Sequence, residues 1–259
     1  MANLISFRNV TIGLLVALQC LKASADNVQA AVAANFITPM RELATKFEST
    51  TTHKLIPSFA SSGKFYAQIR HGAPYDVFFS ADQDKPQQLI DDGFAVAHSR
   101  FTYAFGTLAL WSSQVNGVEG PNVLHSGNFN KLAIANPKLA PYGVAAMEVL
   151  KALSLAPKMN NKLVLGENLA QTYQFVSSGN ADLGFVALGQ IVENGKLRDG
   201  SAWIVPGNLY SPIRQDAVLL QRGQNNAGAK ALLEFMQGEC AADIIRRFGY
   251  STTQIATGS

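Results

Sequence analysis

Apolar residues in this chain come in short runs that alternate with helical spacings almost from end to end. That alternation predicts an α/β protein with largely parallel sheets. Residues 28–34 read as a small-residue strand. Phe36, Met40, Leu43, Ala44 and Phe47 then recur on one helix face, with Pro39 in the first turn, where it removes no helical hydrogen bond. Residues 76–80 read as a buried strand, followed by a helix over residues 85–92 that stops at Gly93. Residues 105–111 and 202–206 are apolar runs placed to cross between two halves of the molecule. A last helix over residues 227–247 turns Leu232, Leu233, Phe235, Met236, Ile244 and Ile245 inward, with Arg246 and Arg247 at its negative end before Gly249.

Four of these transitions share a form. Residues 28–35 lead into a helix over 36–49, 55–62 into 63–71, 132–142 into 143–153, and 163–168 into 169–177. In each, an apolar run stops at a small or polar residue that opens the helix. A helix start carries unpaired N–H groups and the positive end of the helix dipole, so it suits an anion. Four such starts facing one cleft make a pocket of neutral donors for a small anion.

Composition narrows the setting. Arg8, the apolar stretch 10–21 and Ala23-Ser24-Ala25 have the form of a secretory signal cleaved after Ala25, and the apolar stretch is too short for a membrane span, which needs about 20 residues. Cys20 keeps a lipoprotein reading open, although Gln19 before it is a poor match. The net charge of +3 falls close to neutral once Arg8 and Lys22 leave with the leader, and no basic block suggests nucleic acid. Only Cys240 then remains, so the exported chain relies on its core and not on a disulfide.

Several segments in order carry a resemblance. Ala33-Ala34-Asn35-Phe36, Phe59-Ala60-Ser61-Ser62-Gly63 and the stretch 72–82 (GAPYDVFFSAD) are followed by Asn136-Pro137 through Pro141-Tyr142-Gly143, then Gly166-Glu167-Asn168-Leu169 and Ala181-Asp182-Leu183-Gly184-Phe185-Val186. Together they resemble the periplasmic molybdate-binding proteins of ABC importers, over residues 28–250. The resemblance implies an α/β, two-lobed type II periplasmic binding protein fold, each lobe a mixed sheet flanked by helices, with the ligand in the cleft. Lobe 1 would comprise residues 26–106 and 207–259, and lobe 2 residues 107–206.

It further implies a monomeric periplasmic receptor without a cofactor, which passes molybdate or tungstate to the membrane subunits of an importer. The oxyanion-binding residues carried over are Asn35, Ser62, Tyr142 and Leu169, the openings of the four helices. Ser62 would give hydroxyl and N–H, and the other three their backbone N–H. Two positions depart from the pattern. Asn35 stands where many relatives have Ser, and Ala187 where many have a ligand-binding Tyr. The Asn35 side chain is the candidate for the missing donor.

Rival chemistries leave weaker marks. Ser61-Ser62-Gly63-Lys64 fits the S-x-x-K of penicillin-recognising serine acyltransferases, but no K-[ST]-G occurs in the chain, and Ser61 with Lys64 reads better as a helix start with a solvated lysine. His53, His71, His98 and His125 are scattered without metal-ligand spacing. Glu167 is expected to turn away from the anion, and Asp76 and Asp82 to tie a strand end and a turn. A sulfate or phosphate receptor on the same fold remains the nearest alternative.

Overall fold

A computed structural model describes residues 25–253. The leader, its cleavage motif up to Ser24, and Cys20 lie outside the described residues. The strands are β1 (Asn27–Ala33), β2 (Lys54–Ala60), β3 (Val77–Phe79), β4 (Phe101–Gly106), β5 (Leu108–Ser112), β6 (Leu132–Ala135), β7 (Leu163–Gly166), β8 (Leu183–Ala187), the short pair β9 (Val192–Glu193) and β10 (Lys196–Leu197), β11 (Ser201–Ile204) and β12 (Ile213–Leu219). The helices are α1 (Ile37–Thr50), α2 (Ser62–Arg70), α3 (Asp84–Asp91), α4 (Asn122–Ser126), α5 (Pro141–Ala152), α6 (Ala156–Met159), α7 (Leu169–Ser177), α8 (Leu188–Ile191), α9 (Ala227–Gln237) and α10 (Glu239–Arg247).

The strands form two five-stranded mixed sheets, ordered β2-β1-β3-β12-β4 and β11-β5-β8-β6-β7. In the first, β1 pairs in parallel with β2 and β3, while β12 runs antiparallel to β3 and β4. In the second, β6 is parallel to β7 and β8, and β5 is antiparallel to β8 and β11. The chain leaves the first sheet at Gly106, is in the second by Leu108, and returns between Ile204 and Ile213. The 105–111 run therefore does span a crossing. The second crossing begins only at the end of the 202–206 run, because Ala202–Ile204 is already committed to pairing with β5.

Helices cover both faces of each sheet. Phe36, Met40, Leu43 and Phe47 are fully buried against the first sheet, together with Leu232, Met236, Ile244 and Ile245. Each large side chain so buried contributes roughly 1.5–3 kcal/mol. On the opposite face Phe65 and Ile69 of α2 pack on Ala31 and Phe78 of the sheet. The alanines of β1, an interior strand with helices on both faces, keep both of its faces small.

One expected element divides. The helix read over residues 227–247 is two helices, broken at Gly238, whose backbone is extended (φ −83°, ψ 158°). Glycine costs about 1 kcal/mol inside a helix, and here its carbonyl instead accepts the N–H groups of Ala241 and Ala242 to start α10. The apolar spacing hid the break because both helices face the same core.

Candidate functional site

The four helix starts are built differently. In α2, Ser61 is the N-cap and its Oγ accepts the Lys64 N–H at 3.4 Å, while the Gly63 N–H donates across the cleft to the Leu139 carbonyl at 2.9 Å. This leaves the Ser62 N–H. Ser62 Oγ accepts the Ala81 N–H at 2.9 Å, so its own proton is free to be donated. In α7, Asn168 caps the Gln171 N–H at 3.1 Å and leaves that of Leu169.

The other two starts have no side-chain cap. Ala140 precedes α5, whose first residue, Pro141, has no N–H, so Tyr142 carries the first donor of that helix. Its neighbour Gly143 must be glycine: a Cβ there would lie 2.1 Å from the Ala135 carbonyl oxygen, and this closeness seats the helix start on the end of β6. Residues 34–36 form a turn of 3-10 helix ahead of α1, again with no capping side chain. None of the N–H groups of Asn35, Ser62, Tyr142 and Leu169 has an acceptor among the hydrogen bonds that the loops and caps make.

All four residues line one cavity of about 10 Å³, roughly the space one water needs. Ala33, Ala34, Ser61, Ala81, Ala140, Pro141 and Asn168 complete its wall. No charged side chain lines it. Glu167 is turned outward, where its carboxylate pairs with Lys64 at 2.7 Å. Lys64 is therefore not simply solvated: it bridges the two lobes, and its ammonium is committed away from Ser61. Asp76 accepts the Gln29 N–H at 2.8 Å and Asp82 the Lys85 N–H at 3.1 Å, as strand-end and turn ties. Among the described residues no cluster of His, Cys, Asp and Glu suits a metal ion.

Beneath the cavity lies a buried polar layer. Asn35 Nδ2 donates to Gln215 Oε1 at 2.7 Å and to the Tyr250 hydroxyl at 3.3 Å, and the Tyr250 hydroxyl donates to the Asn35 carbonyl at 2.8 Å. The Tyr103 hydroxyl donates to Gln215 Oε1 at 3.2 Å, and Gln215 Nε2 reaches the Tyr142 hydroxyl at 3.4 Å. This corrects one expectation. Both amide hydrogens of Asn35 are spent inside the protein, so its side chain does not stand in for the tyrosine missing at Ala187. Its backbone N–H remains. Burial, before any other cause, raises the phenols of Tyr103, Tyr142 and Tyr250 well above their ordinary value, so all three stay protonated donors.

Comparison with known proteins bears on this geometry. The sequence pattern of the bacterial extracellular solute-binding proteins matches residues 28–251. This chain belongs to that family. Molybdate-binding protein ModA of Azotobacter vinelandii is 49% identical over 246 residues, covering 95% of this chain and 98% of the relative. The Rhodobacter capsulatus protein of the same name is 46% identical, covering 90% and 91%. A solved structure of the Azotobacter vinelandii periplasmic molybdate-binding protein superposes with a TM-score of 0.85 at 41% identity, covering 88% of this chain and all of that one. The two-lobed fold with mixed sheets in each lobe is thus that of periplasmic binding proteins.

Sequence reasoning missed the second layer of this solute-binding protein's site. Gln215 and Asp216 follow Arg214 in a strand that is apolar from Ala217 on, and both are buried to within 1%. A bulge against β4 falls between them, which aims one at Asn35 and the other at Thr102. A polar pair in a buried strand was the available signal. Tyr250 had none, since nothing local tells that a residue after the last helix returns to the first.

Proposed function

We propose that this protein is an exported, monomeric receptor that captures molybdate, and tungstate with it, in the periplasm and delivers it to the membrane subunits of an ABC importer. It holds no cofactor and performs no catalysis. In this reading lobe 1 is residues 26–106 with 207–259, and lobe 2 is residues 107–206. Asn35 and Ser62 bind from the first and Tyr142 and Leu169 from the second. The observation that carries the proposal is a cavity without charged side chains, at which helix starts from both lobes present donors with no protein acceptor.

The chemistry favours a fully deprotonated oxyanion. Each hydrogen bond to a charged partner contributes roughly 1.5–3 kcal/mol, so the four N–H groups and the Ser62 hydroxyl together support tight binding after ordering costs. Hydrogen phosphate keeps a proton that needs an acceptor, and a wall made of donors leaves it unpaired at a cost of about 1–3 kcal/mol. Sulfate shares charge and shape with molybdate, so cavity size alone separates them. The names of the relatives, molybdate-binding proteins at 49% and 46% identity, support the choice of molybdate.

The test is calorimetric titration of the mature chain with molybdate, tungstate, sulfate and phosphate at one pH. Tight one-to-one binding of the first two, with the others silent, is expected. Preferential binding of sulfate or phosphate would keep the clamp and overturn the ligand.

A further inference from the structure

We infer that the Tyr142 phenol is a positioning residue that couples the anion cavity to closure of the two lobes, an inference that rests on the proposed reading of the cavity. Tyr142 faces two ways. Its backbone opens α5 at the cavity wall, while its ring, 1% exposed, runs to the strands by which the chain leaves and re-enters the first lobe. A Cβ built on Gly106, the last residue before the first crossing, would stand 2.0 Å from the Tyr142 hydroxyl, 2.8 Å from the ring carbon that bears it and 2.9 Å from Gln215 Nε2, so the phenol meets it first. The bare backbone of Gly106 is therefore the seat on which the phenol rests. The φ of Gly106 is not left-handed, so the absent side chain serves this contact and not a backbone requirement.

Gln215, two residues into the strand that follows the second crossing, meets the same hydroxyl at 3.4 Å and passes the contact on to Asn35 at 2.7 Å. The residues at two of the proposed ligand N–H groups, one on each lobe, are thus joined behind the ligand by a single chain of neutral hydrogen bonds. Parting the lobes must lift the phenol off Gly106 and Gln215. Closing them restores both contacts only when the α5 start has reached its place at the cavity. The coupling acts after encounter, so it governs release more than capture.

Three variants test this: Tyr142→Phe, which keeps the N–H and the ring, Gly106→Ala, and the pair Gly106→Ala with Tyr142→Ala. The ligand is whichever of molybdate, tungstate, sulfate or phosphate saturates the wild-type chain, so a wrong choice of molybdate does not decide the matter. Stopped-flow measurement should find that Tyr142→Phe leaves association unchanged and speeds release about three- to tenfold, the effect of one lost hydrogen bond. Gly106→Ala should stay folded but no longer compact on ligand addition in small-angle scattering, and removing the ring in the double variant should restore compaction.

A purely structural hydroxyl would lower the urea midpoint of Tyr142→Phe without changing its release rate. That result, or normal compaction of Gly106→Ala, overturns the coupling. Binding of none of the four anions overturns both this inference and the reading it rests on.

Discussion

Replacing Ser62 by alanine removes two hydrogen bonds that report on different states of the protein. Ser62 is 1% exposed, and its oxygen accepts the Ala81 N–H at 2.9 Å. With that lone pair engaged, the hydroxyl proton is left for whatever fills the cavity. Loss of a donor to a charged ligand costs roughly 1.5–3 kcal/mol, which is about 10- to 150-fold in Kd. Loss of the acceptor strands a buried N–H whether or not ligand is present, at about 1–3 kcal/mol of stability. In a domain of this size that lowers Tm by roughly 2–10 °C.

Titration calorimetry with molybdate and thermal unfolding of the ligand-free protein separate the two. Both should move together in Ser62→Ala. The alanine keeps the backbone N–H of residue 62, so binding should weaken and not vanish. A variant that loses stability but binds within about twofold of wild type would show that the hydroxyl only ties α2 to Ala81, and the assignment of Ser62 to the ligand would fall.

Two further outcomes follow from the charges and the phenols. Lys64 and Glu167 meet at 2.7 Å across the cleft, yet their side chains are 45% and 50% exposed, so the pair contributes less than about 1 kcal/mol. Glu167→Gln should therefore change affinity by less than about fivefold, with the effect shrinking as salt is raised from about 0.05 to 0.5 M; a larger, salt-insensitive loss would make Glu167 part of the site. The phenols of Tyr103, Tyr142 and Tyr250 are raised above 10.0 by burial, so the folded state holds protons that the unfolded state releases. Their contribution to stability is complete below pH 10 and falls as pH rises beyond it, by up to about 1.4 kcal/mol per pH unit for each phenol. Urea midpoints should drop steeply above about pH 10, while molybdate affinity stays flat from about pH 6 to 9, and a titration of affinity near neutrality would place an ionisable group at the ligand.

The sequence made the first layer of this site legible and hid the second, for a physical reason. A strand that gives way within a few residues to a helix, as at Ser61 or Asn168, is a local event, written in neighbouring residues by capping and periodicity. Pro141 at the first position of α5 is the same kind of signal, and the helix begins two residues earlier than the apolar spacing alone suggested because proline is at home there. The order of the strands and the meeting of Asn35, Gln215 and Tyr250 come from contacts some two hundred residues apart, which no window along the chain contains. The resemblance filled part of that gap. It located the residues that border the cavity but not the polar layer behind them, so Asn35 was given a side-chain role that Gln215 and Tyr250 already occupy.

The absence of a cap at α5 is itself informative. Alanine is a poor N-cap, and replacing it by serine at an ordinary helix start adds about 0.5–2 kcal/mol of stability. Ala140 has the extended backbone of a cap residue (φ −131°, ψ 125°) and is 7% exposed at the cavity wall, and a cap hydroxyl serves the N–H of the second or third helical residue, here Tyr142 or Gly143; the Gly143 N–H already donates to the Ala140 carbonyl at 2.9 Å, which leaves that of Tyr142. If that N–H serves the helix alone, Ala140→Ser stabilises the protein and leaves binding as it was. If the N–H is held for an anion, the new hydroxyl takes the ligand's place: ligand-free stability rises, and affinity falls by the worth of one charge-assisted bond, about 10- to 150-fold. We expect the second outcome, with the gain in urea midpoint and the loss in Kd measured on the same preparation. A stabilised variant with unchanged affinity would remove Tyr142 from the site and leave the cavity with donors from only three helix starts.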